Sequence, residues 1–328
     1  MKTLFKWVGR GIILLVLCIA ALAVFGPREK VDLNASFDTA LLGDDLDAYF
    51  VTQESAFDDI VDGTEKRVIW AGEAGVKTSV SVLYIHGFSA TSEEIRPVPD
   101  NVAEALGANL VYTRLAGYGR SGDAMAEPSA ADWMHDTVEA LAAARQVGEQ
   151  VIVISTSTGG TLVAAAALRE DLMQNVACAV FVSPNFALNS PASVILTWPA
   201  VRWWGPIVAG EHRSFETLND GHAAYWTNSY PTVALMPMAA LVKAVDGLDL
   251  GQAEIPALFM ISDQDQVVSA TKNRAVAEEW GGESSLEILS MGDGDDPYSH
   301  VIAGDILSPG QTASASQAMI DWAKTVLK

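Results

Sequence analysis

Basic residues are scarce in this chain: 20 lysines and arginines stand against 41 aspartates and glutamates, a formal net charge of −21. A surface of that sign repels phosphate backbones. It argues against a nucleic-acid partner and leaves a solvated acidic coat as the plainest use of the charge. Cysteine is scarcer still. Cys18 lies in an apolar N-terminal run and Cys178 in a β-branched one, so no disulfide framework is expected. Cys178 has no polar neighbours in its strand, which disfavours it as a nucleophile. Repeats of 20–50 residues, low-complexity tracts and heptads are missing, which removes solenoids, coiled coils and disordered arrays. Metal-ligand spacing is missing too. The run Asp293-Gly294-Asp295-Asp296 lacks the alternating ligands and distal glutamate of a calcium loop, and is read as a solvated loop.

What is present is apolar bulk. Half of the 328 residues are hydrophobic, enough for one large core with an insertion. At the N-terminus Lys2, Lys6 and Arg10 form a basic leader, followed by an uninterrupted apolar run from Gly11 to Phe25 and the breaker Gly26-Pro27. This is the layout of an export signal or signal-anchor, although the run is short of the roughly 20 residues of a comfortable span. Ala21-Leu22-Ala23 offers a small-x-small cleavage site. The expectation is an uncleaved anchor over residues 1–30, with the rest of the protein exported or held outside the cytoplasm (inner membrane or periplasm in a bacterium). Residues 31–65 read as an acidic connecting arm with a short helix lying against the main domain.

From residue 66 the pattern becomes regular. Strands are expected at Lys66–Trp70, Val80–Tyr84, Leu110–Tyr112, Val151–Ser155, Val176–Val182, Ala257–Ile261 and Leu286–Leu289. Helices are expected at Glu93–Leu106, Ala131–Val147, Thr158–Arg169, 271–280 and 312–327. Such alternation implies a mainly parallel sheet covered on both faces, whose sites lie at the carboxyl ends of the strands.

Three segments at such ends carry chemistry. In Ser155-Thr156-Ser157-Thr158-Gly159-Gly160 a serine follows a strong strand, has small residues two places away on each side, and precedes a helix former. That is the layout of a nucleophile elbow, with Ser155 standing where a glycine is usual. Upstream, the strand ending at Ile85 runs into His86-Gly87-Phe88-Ser89, a layout that places backbone N–H groups near developing negative charge. The N–H groups of Phe88 and Thr158 are the candidate oxyanion donors. His86 is expected to support the loop rather than act as base. Downstream, Asp265 follows the strand 257–261 and His300 follows the strand 286–289, giving the order Ser157, Asp265, His300. A serine hydroxyl needs an imidazole to take its proton, and the imidazole needs a carboxylate to fix its tautomer. Asp263 is the rival acid, expected instead to hold the loop by a local turn bond. His135, His212 and His222 are read as solvated or structural.

On these residues the chain resembles the monoacylglycerol lipase, lysophospholipase and carboxylesterase branch of the α/β-hydrolase superfamily. The resemblance covers roughly residues 66–327. It rests on His86-Gly87-Phe88-Ser89-Ala90-Thr91 with Arg96-Pro97, on Arg114-Leu115-Ala116-Gly117-Tyr118-Gly119, on the elbow, and on Asp265 and His300. The family pattern usually has histidine where Tyr118 stands and often proline at Ala116. The resemblance implies an α/β-hydrolase fold: a core of residues 66–184 and 251–328, and a helical cap over 185–250. It also implies ester hydrolysis through an acyl-enzyme, with no cofactor and no metal. Acyl transfer or thioester cleavage on the same fold is the alternative, and an inactive membrane-tethered binding protein a more distant one. The cap's Val194, Ile195, Leu196, Trp198, Trp203, Trp204, Tyr225, Trp226, Met236 and Met238 suggest a lid suited to a lipid-like substrate such as a monoacylglycerol or lysophospholipid. Most of the tryptophans are expected to pack that cap onto the body.

Overall fold

The computed structural model describes residues 2–327. Among the described residues nine strands follow one another: β1 Arg67–Ile69, β2 Thr78–Ile85, β3 Asn109–Tyr112, β4 Gly148–Thr156, β5 Val176–Val182, β6 His212–Ser214, β7 Ser229–Pro231, β8 Ala257–Ile261 and β9 Ser284–Ile288. Seven of them form one sheet in the order β1-β3-β2-β4-β5-β8-β9, parallel except where β1 meets β3. β6 and β7 make a separate antiparallel ribbon. The helices are α1 Lys2–Phe25, α2 Leu46–Glu54, α3 Val98–Leu106, α4 Ala130–Val147, α5 Thr158–Ala167, α6 Glu170–Met173, α7 Val201–Ala209, α8 Asp220–Tyr225, α9 Leu235–Asp246, α10 Ala270–Glu279 and α11 Thr312–Val326.

Alternation along the strands divides the core in two. Leu83, Ile85, Val151, Val153, Phe181 and Phe259 point into a cluster shared with α4, α5 and α9. Val82, Tyr84, Ile152, Ile154, Val180 and Met260 point the other way, into a cluster shared with α3 and α11. The acidic arm lies on the first cluster. Leu42, Leu46 and Phe50 are buried in it, and the Glu54 carboxylate is paired with the buried Arg114 guanidinium at 2.7 Å.

The helix expected from Glu93 begins only at Val98. Residues 92–97 form a turn instead. Pro97 and Pro99 explain it, because the residue before a proline is pushed out of the helical region and a proline suits only the first helical turn. The cap expectation also needs correction. Among the tryptophans of 185–250 only Trp226 is buried, whereas Trp198 and Trp203 are 53% and 64% exposed. Ile207 and Val208 beside them are exposed as well. α1 presents Ile12, Ile13, Leu14, Leu17 and Ile19 outward, and among the described residues no helix is long and apolar enough to cross a membrane. The segment that follows α1 touches the cap, with the Ala200 N–H donating to the Pro27 carbonyl at 2.5 Å and Arg202 pairing with Glu29 at 2.7 Å.

Candidate active site

β4 is fully buried over its last six residues and ends at Thr156, and α5 begins at Thr158. The single residue between them, Ser157, is held at φ 50°, ψ −114°. A non-glycine residue in the positive-φ region is strained by about 1–3 kcal/mol, and such strain persists only where the surroundings fix it. Here the Ser157 N–H donates to the Val182 carbonyl at 3.0 Å and its carbonyl accepts from Asn185 N–H at 2.9 Å. The small neighbours follow from close packing. A β-carbon on Gly159 would collide with the Ile85 carbonyl and lie 2.7 Å from that of His86. Ser155 fits where a glycine is usual because it is buried with its hydroxyl donating to the Val180 carbonyl at 3.1 Å.

Four strand ends converge on Ser157. From the loop after β9, His300 brings Nε2 to 3.1 Å from Ser157 Oγ. From the loop after β8, Asp265 Oδ2 lies 2.9 Å from His300 Nδ1. The other oxygen of Asp265 accepts the N–H groups of Val267 and Val268 at 2.8 and 2.9 Å, so the carboxylate is aimed by its own loop. The local turn bond expected of Asp263 is therefore made by Asp265. Asp263 is exposed and pairs with Arg274. Gln266 N–H donates to the Tyr298 carbonyl at 2.9 Å, which ties the acid's loop to the histidine's.

Burial alone would push the His300 imidazole down. The facing Asp265 carboxylate, helped by Glu94 and Asp296, outweighs it and raises the group above its ordinary 6.5.

From the loop after β2, Gly87 lies against the serine: a β-carbon there would sit 3.0 Å from Ser157 Cβ. The next residue, Phe88, is packed edge-on between the rings of Tyr118 at 5.7 Å and Tyr230 at 5.4 Å. Among the described residues neither Phe88 N–H nor Thr158 N–H has a protein acceptor. His86 is fully buried. Its Nε2 accepts the Leu115 N–H at 3.1 Å, which leaves Nδ1–H to donate to the Gly87 carbonyl at 2.9 Å. Burial lowers its imidazole to about 4, so it stays neutral and supports the loop. Of the other histidines, His222 stacks on Phe215 within the cap and His135 packs edge-on against Phe37.

Two acids here escaped the sequence reading. Asp296, in the run read as a solvated loop, is buried. Its Oδ2 accepts the N–H groups of His300 and Val301 at 3.0 and 2.9 Å. The Asp-Pro dipeptide ahead of Ser299-His300 was the available signal, since such pairs start turns. Glu94 is buried beneath Gly87, and nothing in its sequence neighbourhood marked it. Among the described residues no group of His, Cys, Asp and Glu could hold a metal ion.

The profile of the alpha/beta hydrolase family matches residues 82–303. A thermostable monoacylglycerol lipase of Bacillus sp. (strain H-257) is 28% identical over 197 residues, covering 58% of this chain and 72% of that protein. Among solved structures, that of the metagenome-derived lipolytic enzymes LipS and LipT superposes with a TM-score of 0.64 at 19% identity, covering 81% of this chain and 99% of that one. A soluble variant of the Saccharomyces cerevisiae monoglyceride lipase, in complex with a substrate analogue, gives 0.59 at 14% identity, over 81% of this chain and 92% of its own. At these identities the two structures speak for the fold.

Proposed function

Since the chain belongs to the α/β-hydrolase family, we propose that it is a serine hydrolase of carboxylic esters, with Ser157 as nucleophile, His300 as base and Asp265 as the acid that orients it. The observation that supports this most is the hydrogen-bonded chain from Asp265 through His300 to a serine on a strained turn, 2.9 and 3.1 Å at its two links.

In this reading neutral His300 donates Nδ1–H to Asp265 and takes the Ser157 proton on Nε2 as Oγ attacks the ester carbonyl. The oxyanion that forms is met by the N–H groups of Phe88 and Thr158. Such a donor is typically worth about 3 kcal/mol in the transition state. Collapse expels the alcohol, which takes the proton from His300 Nε2. Water then repeats the sequence on the acyl-enzyme, with His300 again the base, and releases the acid.

The substrate proposed is lipid-like, a monoacylglycerol or lysophospholipid class ester. The exposed apolar side chains of the cap support this, as does the lipase name of the Bacillus relative. The N-terminal segment is the membrane anchor, with the catalytic domain outside the cytoplasm. Its basic leader and its outward-facing apolar side chains support that placement.

A fluorophosphonate probe is expected to label the protein, and to fail on Ser157→Ala. Labelling that persists in the variant overturns the nucleophile. On p-nitrophenyl esters turnover is expected to rise from acetate toward decanoate, and a steady fall overturns the lipid-like substrate. Full-length protein is expected to sediment with membranes after alkaline carbonate, while residues 31–328 stay in the supernatant. Equal partitioning overturns the anchor.

A further inference from the structure

Glu94 is an acid that the serine relay does not use. It stands in the turn ahead of α3 and is 2% exposed. Its Oε2 accepts two hydrogen bonds, from the Gly87 N–H at 2.7 Å and from the Tyr84 hydroxyl at 3.0 Å. The same hydroxyl lies 3.0 Å from Oγ1 of Thr156, the residue before the nucleophile. One carboxylate oxygen therefore ties together the end of β2, the loop that carries Phe88 and, through Tyr84, the end of β4.

Among the described residues the other oxygen, Oε1, has no hydrogen-bond partner. It faces the bare side of Gly87: a β-carbon built there would lie 2.7 Å from Oε1 and 3.0 Å from Ser157 Cβ. With glycine in that position, no side chain separates the carboxyl from the nucleophile.

The titratable groups around Glu94 are few. Tyr84 faces it from β2 and Tyr118 from the loop after β3. His300 faces it across the site, with Asp265 and Asp296 behind the imidazole. Among the described residues no lysine or arginine hydrogen-bonds to it, and the charge of His300 favours its ionised form.

We propose that Glu94 is a second acidic partner of the Ser157–His300 pair: a positioning residue that holds the oxyanion loop through the Gly87 N–H and sets a carboxylate charge against the imidazole across the bare side of Gly87. This inference rests on the reading of Ser157 and His300 given above. Burial pushes the Glu94 carboxyl up to about 7, against the pull of the Gly87 N–H, His300 and Tyr84. The carboxyl therefore changes charge in the range where the imidazole does. An ionised Glu94 favours the imidazolium, which cannot accept the serine proton, and a neutral one releases it.

Two variants separate the parts. Glu94→Gln keeps an oxygen acceptor for Gly87 and Tyr84 and removes the charge. Its kcat/KM on p-nitrophenyl butyrate is expected to reach a plateau within about threefold of the parent, with the acid limb of the profile moved about half a unit or more to lower pH. Glu94→Leu removes acceptor and charge together, and its plateau is expected to fall about tenfold or more. An unmoved acid limb in the glutamine variant overturns the electrostatic role. An undiminished plateau in the leucine variant overturns the positioning role. If the leucine variant does not fold, the glutamine plateau decides: a loss beyond about tenfold with an unmoved limb overturns the proposal. The His300 titration, followed by proton NMR in Ser157→Ala with and without Glu94→Gln, reads the same coupling without turnover. It distinguishes a failure here from a failure of the catalytic reading.

Discussion

The carboxyl ends of the strands and the outer face of the cap use their residues in opposite ways. Around Ser157 the backbone is strained: Ser89, Ser157, Ser183 and Ser299, all with positive φ, stand in the loops or turns that follow β2, β4, β5 and β9. The side chains of the Asp265–His300–Ser157 chain there are bonded, down to the separate partners of the two Asp265 oxygens. On the cap's outer face Val194, Trp198, Trp203, Ile207 and Val208 are exposed, and residues 27–29, just past α1, are tied beside them through Ala200 and Arg202. The sheet supplies rigidity, which holds strain and aims dipoles. The cap supplies exposed apolar area. The two regions are thereby separated, and each can be tested without the other.

The largest effect is expected at the strand ends. Ser157→Ala should cost about a million-fold in kcat and Asp265→Asn about ten-thousand-fold, with unchanged circular dichroism. A loss under about a hundred-fold in the serine variant would move the nucleophile elsewhere.

Next comes the support behind the loop that follows β2. Lys66 is buried between Asp136 and Glu139, and Asp136 also accepts the Ala116 N–H at 2.7 Å, fixing the loop whose Tyr118 packs on Phe88. Lys66→Ala leaves two carboxylates without their cation and should destabilise the fold by about 3–5 kcal/mol in denaturant titration. A change under about 1 kcal/mol would mean that water replaces the ammonium.

The pH dependence is gentler. The base form of His300 exists above its pKa, which its carboxylate partners raise past the ordinary 6.5. Activity should therefore fall as pH drops, with the midpoint of kcat/KM above that value. A midpoint below it would mean that burial outweighs Asp265.

The smallest effect on chemistry is expected from the cap. The double variant Trp203→Ser, Ile207→Ser should leave turnover of a soluble butyrate ester within about twofold. It should weaken binding of the full-length protein to phospholipid vesicles several-fold, by loss of apolar area. Equal losses in both assays would erase the contrast between the two regions.

Much of the body was legible because its signals are local. The strands 176–182 and 257–261 fall where their apolar runs are written, and the elbow announced itself by a serine between small residues at a strand end. The helix at 93 was misread because its apolar spacing outvoted Pro97 and Pro99. Asp296 and Glu94 were passed over for a different reason. Each looks like one more acid in an acidic chain, and only burial turns an ordinary carboxylate into one that holds a backbone.

The order of small residues, β-branched runs and turn formers in the chain determined the layered sheet and the sharp turn at Ser157, because both follow from steric rules that act over a few residues. Tertiary structure alone decided which acids and histidines share one space. The distance from Ser157 to His300, and the burial of Glu94 against Gly87, come from strands that meet only when the sheet is assembled.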